Sequence, residues 1–404
     1  MRAVLARVAA TIVACALVVA CSTSPIPFSA SDPPAAMTSP PGRPGIDAIS
    51  AGGAHTCALT DGGGITCWGS NEHGELGDGT ATDSRIPVAV SHMMIDVAAI
   101  AAGGVHTCVL TEVSGVKCWG GNFAGQLGRQ DHTNGDSLGP VDVVGLASGV
   151  RAVVAGTLHT CALRGDGAVM CWGDGSDGQL GSGTTDPSSV PVTVEGLASR
   201  ITAIAAGARH TCALTGGGRV TCWGEGWHGQ LGNGTGTPSL TPVDVVGLSG
   251  VTAIAAGDSH TCALTRLGGV TCWGSNDLGE LSNSTTDSVA PVDVLGLSAG
   301  VSAIASGSVH TCALNGGGAV KCWGDNSDGQ LGNGSVIASN VPVDVSGLAS
   351  GITAIAAGDS HTCALKDNGK VSCWGANFAG QLGNGSTTGA TTPVDVDWAT
   401  ATSQ

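Results

Sequence analysis

Residues 307–334 read GSVHTCALNGGGAVKCWGDNSDGQLGNG, and the pattern of that stretch occurs seven times along the chain. The His of its G-x-x-H-T-C-x-L segment falls at 55, 106, 159, 210, 260, 310 and 361, at intervals of 50 to 53 residues. Ten residues after the Cys of each segment comes a second Cys inside C-W-G, then a Gly-rich stretch such as Gly178-Gln179-Leu180-Gly181. A Pro-Val-x-Val segment closes each unit, at Pro87, Pro140, Pro191, Pro242, Pro291, Pro342 and Pro393. A fixed period of this length marks a repeat architecture.

Each unit carries short β patterns and no sustained helical period. Ile254-Ala255-Ala256 is a compact apolar run. His260–Leu264 and Val270–Trp273 flank Gly268-Gly269, which reads as a hairpin turn, and Val243 and Val245 alternate around Asp244 as in a half-exposed strand. Four strands in about 51 residues, seven times over, predict an all-β fold: a seven-bladed β-propeller over residues 45–398. The first unit lacks a preceding Pro-Val-x-Val, and the last such segment, at 393–396, has no unit after it. The N- and C-terminal strands are therefore expected to pair in one blade and close the ring, which removes the exposed sheet edges.

The pattern G-x-x-H-T-x-A-L followed by W-G-x-N-x-x-G-Q-L-G-x-G resembles the repeat of the regulator of chromosome condensation family, with His310-Thr311 and Asn326–Gly334 the fullest match. The resemblance covers about residues 46–398 and implies a seven-bladed propeller. It implies little about function, because members serve as a nucleotide exchange factor, ubiquitin-ligase-associated domains, an ultraviolet receptor and secreted β-lactamase inhibitors. This chain departs from the usual repeat by placing Cys in both hairpin strands.

The chain holds sixteen Cys, too many for a reducing compartment unless metal is bound. Setting Cys57 opposite Cys67 also sets Leu59 opposite Ile65 around a turn near Gly62, so the two sulfurs meet across one hairpin as a disulfide. The same spacing pairs Cys108 with Cys118, Cys161 with Cys171, Cys212 with Cys222, Cys262 with Cys272, Cys312 with Cys322, and Cys363 with Cys373. Cys15 and Cys21 lie outside the repeats. The rival reading takes His55, Cys57 and Cys67 as metal ligands, but Cys-x9-Cys is not the tight knuckle spacing of structural zinc sites. No metal or other cofactor is expected.

Residues 1–20 hold a basic start (Arg2, Arg7) and a short apolar run, and Val18-Val19-Ala20-Cys21 looks like a lipobox. The expectation is a signal peptide, a lipidated Cys21, a Pro- and Ser-rich tether to residue 44, the propeller, and a tail at 399–404. The protein is then exported and anchored to a cell membrane or outer membrane by lipid alone, with the propeller facing the periplasm or exterior.

The formal charge is −16. Such a surface repels nucleic acid and anionic lipid headgroups. No P-loop occurs, the single G-x-S-x-G match at Gly296–Gly300 is followed by no helical period and so makes no nucleophile elbow, and no catalytic residue is assigned. The repeated His and the C-W-G Trp are read as frame: each His is expected to bond backbone within or between blades, and each Trp to pack between sheets. Function is sought where the repeats differ, in the two residues before G-[QE]-L. These are Glu72-His73, Phe123-Ala124, Ser176-Asp177, Trp227-His228, Asp277-Leu278, Ser327-Asp328 and Phe378-Ala379. Phe378, His73 and Phe123 belong to blades seven, one and two, which are neighbours in a closed ring. His73, Phe123, Trp227, His228 and Phe378 are the expected partner-binding residues, since aromatics on a rigid frame anchor interfaces. The insert Arg129–Gly139 could add contacts. The function expected is a monomeric, non-catalytic platform for an envelope or extracellular protein or glycan. The alternatives are a structural envelope component, or an enzyme using carboxylates in the channel.

Overall fold

The computed structural model describes residues 45–398 except 94–95, 131–134, 198–199 and 284–285. The expected signal peptide, Cys21, the tether and the 399–404 tail lie outside the described residues. The chain folds as twenty-eight strands in seven four-stranded antiparallel sheets. In the first blade these are β1 (Ile46–Ala51), β2 (His55–Thr60), β3 (Ile65–Gly69) and β4 (Ser84–Ala89). The last blade is β25 (Ile352–Ala357), β26 (His361–Lys366), β27 (Val371–Gly375) and β28 (Ala390–Asp395). The five blades between repeat the plan, and the fold is the expected seven-bladed propeller.

The hairpin register follows from the residues. Cys57 lies opposite Cys67 and Leu59 opposite Ile65. The turn between them needs Gly63, whose φ of +76° lies in the left-handed region. All seven hairpins carry the expected disulfide, one per blade. Cys57 is bonded to Cys67, Cys108 to Cys118, Cys161 to Cys171 and Cys212 to Cys222. Cys262 is bonded to Cys272, Cys312 to Cys322 and Cys363 to Cys373. With Cys57 and Cys67 bonded to each other, and the His55 Nε2 turned to Thr107 Oγ1 at 2.9 Å, those three residues do not form a ligand set.

The expected pairing of terminal strands is corrected. β1 pairs with β2, and β28 with β27, inside complete blades of their own. The Pro-Val-x-Val segment is the outer strand of its own unit, so neither end is left over. The ring instead closes face to face: β1 packs beside β25 and β26. Ile46, Ile49 and Trp68 of the first blade share a core with Leu365, Val396 and Trp398 from the last. Each of the seven hydrophobic clusters likewise lies between two adjacent blades rather than within one.

A polar relay crosses every joint. His55 Nε2 bonds Thr107 Oγ1 of the next blade, and this contact recurs through His106, His159, His210, His260, His310 and His361, the last reaching Thr56. Thr107 Oγ1 donates to the Glu75 carbonyl, and Trp119 Nε1 donates to that same carbonyl at 2.8 Å. A hydroxyl that spends its proton this way must accept from the histidine, which fixes Nε2 as the protonated ring nitrogen. The histidines thus bridge blades as expected, but to a hydroxyl rather than to backbone. The approach is close: a Cβ on Gly52 would lie 2.4 Å from the Gly103 carbonyl oxygen and 2.4 Å from His55 Cε1. The same crowding surrounds Gly103, Gly156, Gly207, Gly257, Gly307 and Gly358.

Candidate partner-binding face

Strand direction sorts the loops onto two faces. The loops between first and second strands and between third and fourth strands emerge on one, here called the upper face. The hairpin turns and the connections between blades emerge on the lower face, as do both ends of the described chain. Among the described residues, the upper loops carry sixteen Asp and Glu against two Arg, and the lower loops seven against four Lys and Arg. The negative charge is concentrated on one face.

In five blades the loop between third and fourth strands carries the Asn of W-G-x-N; the third and fourth blades have Gly175 and Gly226 there. Asn377 Oδ1 accepts from the Leu382 amide, while its Nδ2 donates to the Ser386 and Thr388 carbonyls. Asn326 and Asn71 do the same in their blades. The residue after this Asn, Phe123 in the second blade and Phe378 in the seventh, is thereby presented outward on a fixed loop, whereas Trp227 follows Gly226. Phe378 is 72% exposed, Trp227 65% and Phe123 49%.

Three of the five expected residues come together. The His73 ring meets Phe123 edge-on, centroids 4.7 Å apart, and His73 Nδ1 lies 2.9 Å from Asp136 of the second blade. His73 and Phe378 line one cavity of about 340 Å³, with Glu72, Asp359 and Gln381. Trp227 and His228 stand apart in the fourth blade, where His228 Nδ1 lies 2.9 Å from Asp287 of the fifth. The described ends of the Arg129–Gly139 insert belong to this upper face; 131–134 lie outside the described residues.

Beside the cavity is the axial mouth, a space of about 110 Å³ ringed by the seven Gly positions. There Asp258, Ser308 and Asp359 come from three successive blades, and Ser308 Oγ donates to Asp359 Oδ1 at 2.8 Å. Enclosure, and secondarily the neighbouring Asp359, push the Asp258 carboxyl up to about 6. Enclosure raises Asp359 also. Sequence reasoning missed this cluster, although the signal was present. It occupies the first variable position after Gly in the otherwise constant G-x-x-H-T segment.

Residues 81–404 match the RCC1-like domain, and residues 46–75 match the regulator of chromosome condensation (RCC1) repeat. A repeat propeller with this face and this match defines the class, and the chain belongs to the RCC1-like domain family. It is 36% identical over 212 residues to the RCC1 domain-containing protein RUG3, mitochondrial, of Arabidopsis thaliana (50% of this chain, 47% of that protein). It is 34% identical over 221 residues to the ultraviolet-B receptor UVR8 of the same plant (53% and 49%). The chain thus spans about half the length of these curated relatives. Among solved structures, human WBSCR16 superposes with a TM-score of 0.71 at 26% identity, covering 80% of this chain and 87% of that one. Prp20p of Saccharomyces cerevisiae, whose structure was described with its binding to Gsp1p and histones, shares the fold with a TM-score of 0.74 at 24% identity (88% and 87%).

Proposed function

We propose that the protein is a non-catalytic protein-interaction platform, exported and lipid-anchored at the cell envelope through Cys21, that binds its partner on the upper face. The observation that carries this reading is the set of exposed aromatics on the upper loops, with Phe123 and Phe378 each following a buried Asn that braces its loop. Rigid, exposed aromatic anchors bind at low entropic cost. Seven hairpin disulfides suit an oxidising compartment. The described chain begins on the lower face, so a tether there leaves the aromatic face unobstructed. Relatives described by their binding to proteins, such as Prp20p, support a protein partner.

The test is affinity capture from an envelope extract with the mature, disulfide-intact protein and its Phe123→Ala/Trp227→Ala/Phe378→Ala variant. The expected result is a specific protein held by the wild type. Its affinity for the variant falls by about 30-fold or more, since a single anchor contributes about 2 kcal/mol or more. Equal capture by both forms overturns the assigned face. Radiolabelled fatty acid incorporation, lost in Cys21→Ser, tests the anchor separately.

A further inference from the structure

We propose that the cavity between the seventh, first and second blades is the receptor for a basic side chain, Lys or Arg, of a partner protein. This rests on the platform reading and assigns the chemistry of its partner. The cavity of about 340 Å³ has an aromatic wall, Phe378, and three acidic residues, Glu72, Glu75 and Asp359, of which Glu75 accepts the His73 amide. Neither Glu72 nor Asp359 has a cationic partner among the described residues; Asp359 accepts the Ser308 hydroxyl. Phe378 is exposed and has no aromatic neighbour among the described residues. An exposed aromatic face beside unpaired carboxylates is the chemistry that receives an ammonium or guanidinium group, through cation–π attraction and a charge-assisted hydrogen bond together.

The surroundings act in the same sense. Sixteen described acidic residues lie in the upper loops against two arginines, one of which, Arg209, is engaged by Asp177. Such a face attracts basic surfaces from a distance and repels acidic ones, so steering and local chemistry select the same partner. Enclosure raises the Asp258 and Asp359 carboxyls at the mouth, with the Asp359 charge a secondary cause at Asp258. An arriving cation favours the charged form that enclosure disfavours.

The test uses the few phenylalanines of the chain. The sequence contains three, Phe28, Phe123 and Phe378, so replacing them with 4-fluorophenylalanine gives three ¹⁹F signals, assigned by single Phe→Leu variants. The disulfide-intact protein is titrated with the peptide acetyl-GRGKGRG-amide at 20 and 150 mM salt, with acetyl-GEGEGEG-amide as the reversed-charge probe. The expected result is a saturable shift of the Phe378 signal with the basic peptide only, and none at Phe28. Affinity should fall at least 10-fold in Glu72→Gln/Asp359→Asn, and far less in Asp277→Asn/Asp287→Asn, which removes equal charge from another blade of the same face. No shift at Phe378, or equal losses in both double variants, overturns the proposal; equal losses leave only diffuse attraction. Capture of an acidic partner through Phe123 and Phe378 overturns it too, while leaving the platform reading standing.

Discussion

His55 shows how much one residue can hold together. Its ring is fully buried, its Nε2 donates to Thr107 of the next blade, and burial lowers its pKa to about 4. His55→Ala deletes that bond and opens a void at the joint, while Thr107 keeps its own donation to the Glu75 carbonyl. The expected cost is about 1–3 kcal/mol, read as a lower urea midpoint with an unchanged circular dichroism spectrum. A change of that size in binding rather than in stability would contradict the structural role. The role was legible because the residue recurs in every unit and so belongs to what every unit needs. The partner was not, because it lies 52 residues away across a joint. Only the Thr that follows each His hinted that a hydroxyl was being supplied to the blade before. Residues at the variable positions behaved differently. Phe123, Trp227 and Phe378 were found as departures from the pattern, and they are exposed. Asp258 and Asp359 escaped because variation was sought only before G-[QE]-L and not after the Gly of G-x-x-H-T.

At the scale of the element, the hairpin is the unit that the sequence dictates most completely. Alternation, a Gly turn and the ten-residue Cys spacing allow one register, and Cys57 duly faces Cys67. Closing an eleven-residue loop restricts the unfolded chain by about 2.8 kcal/mol. Cys57→Ala/Cys67→Ala should therefore lower the unfolding free energy by about that amount, measured by urea titration against the wild type. The upper loops were less legible, since their Gly-rich composition reads as turn and conceals the Asn that organises five of them. The fourth strand was recognised but assigned to the wrong neighbour at the chain ends, because alternation alone does not say which sheet a strand joins.

For the whole molecule, seven buried histidines make acid the condition to watch. Burial lowers each of them from 6.5 to about 3 or 4. Between those values the unfolded chain binds protons that the folded one refuses, so stability falls as pH drops below 6.5. The slope approaches about 1.4 kcal/mol per pH unit for each histidine. Carboxyls with raised pKa, among them Glu75, Glu280 and Asp258, act in the opposite direction, gaining protons on folding at lower pH. Urea midpoints are expected to fall steeply from pH 7 to pH 5. A flat profile there would mean that the histidines are not held neutral.

The contact that shuts the ring, His361 to Thr56, is chemically the same as the six other histidine bridges. In these bridges the ring has no seam, and the closing joint adds a contact of its own, Trp68 edge-on to Trp398 with centroids 5.8 Å apart. The side chains thus make a joint at the place where, among the described residues, no peptide link joins the blades. Order along the chain and order around the circle are therefore separable. The two ends of the described chain lie on the face where the inter-blade connections run, and the circle could begin at any of its seven members.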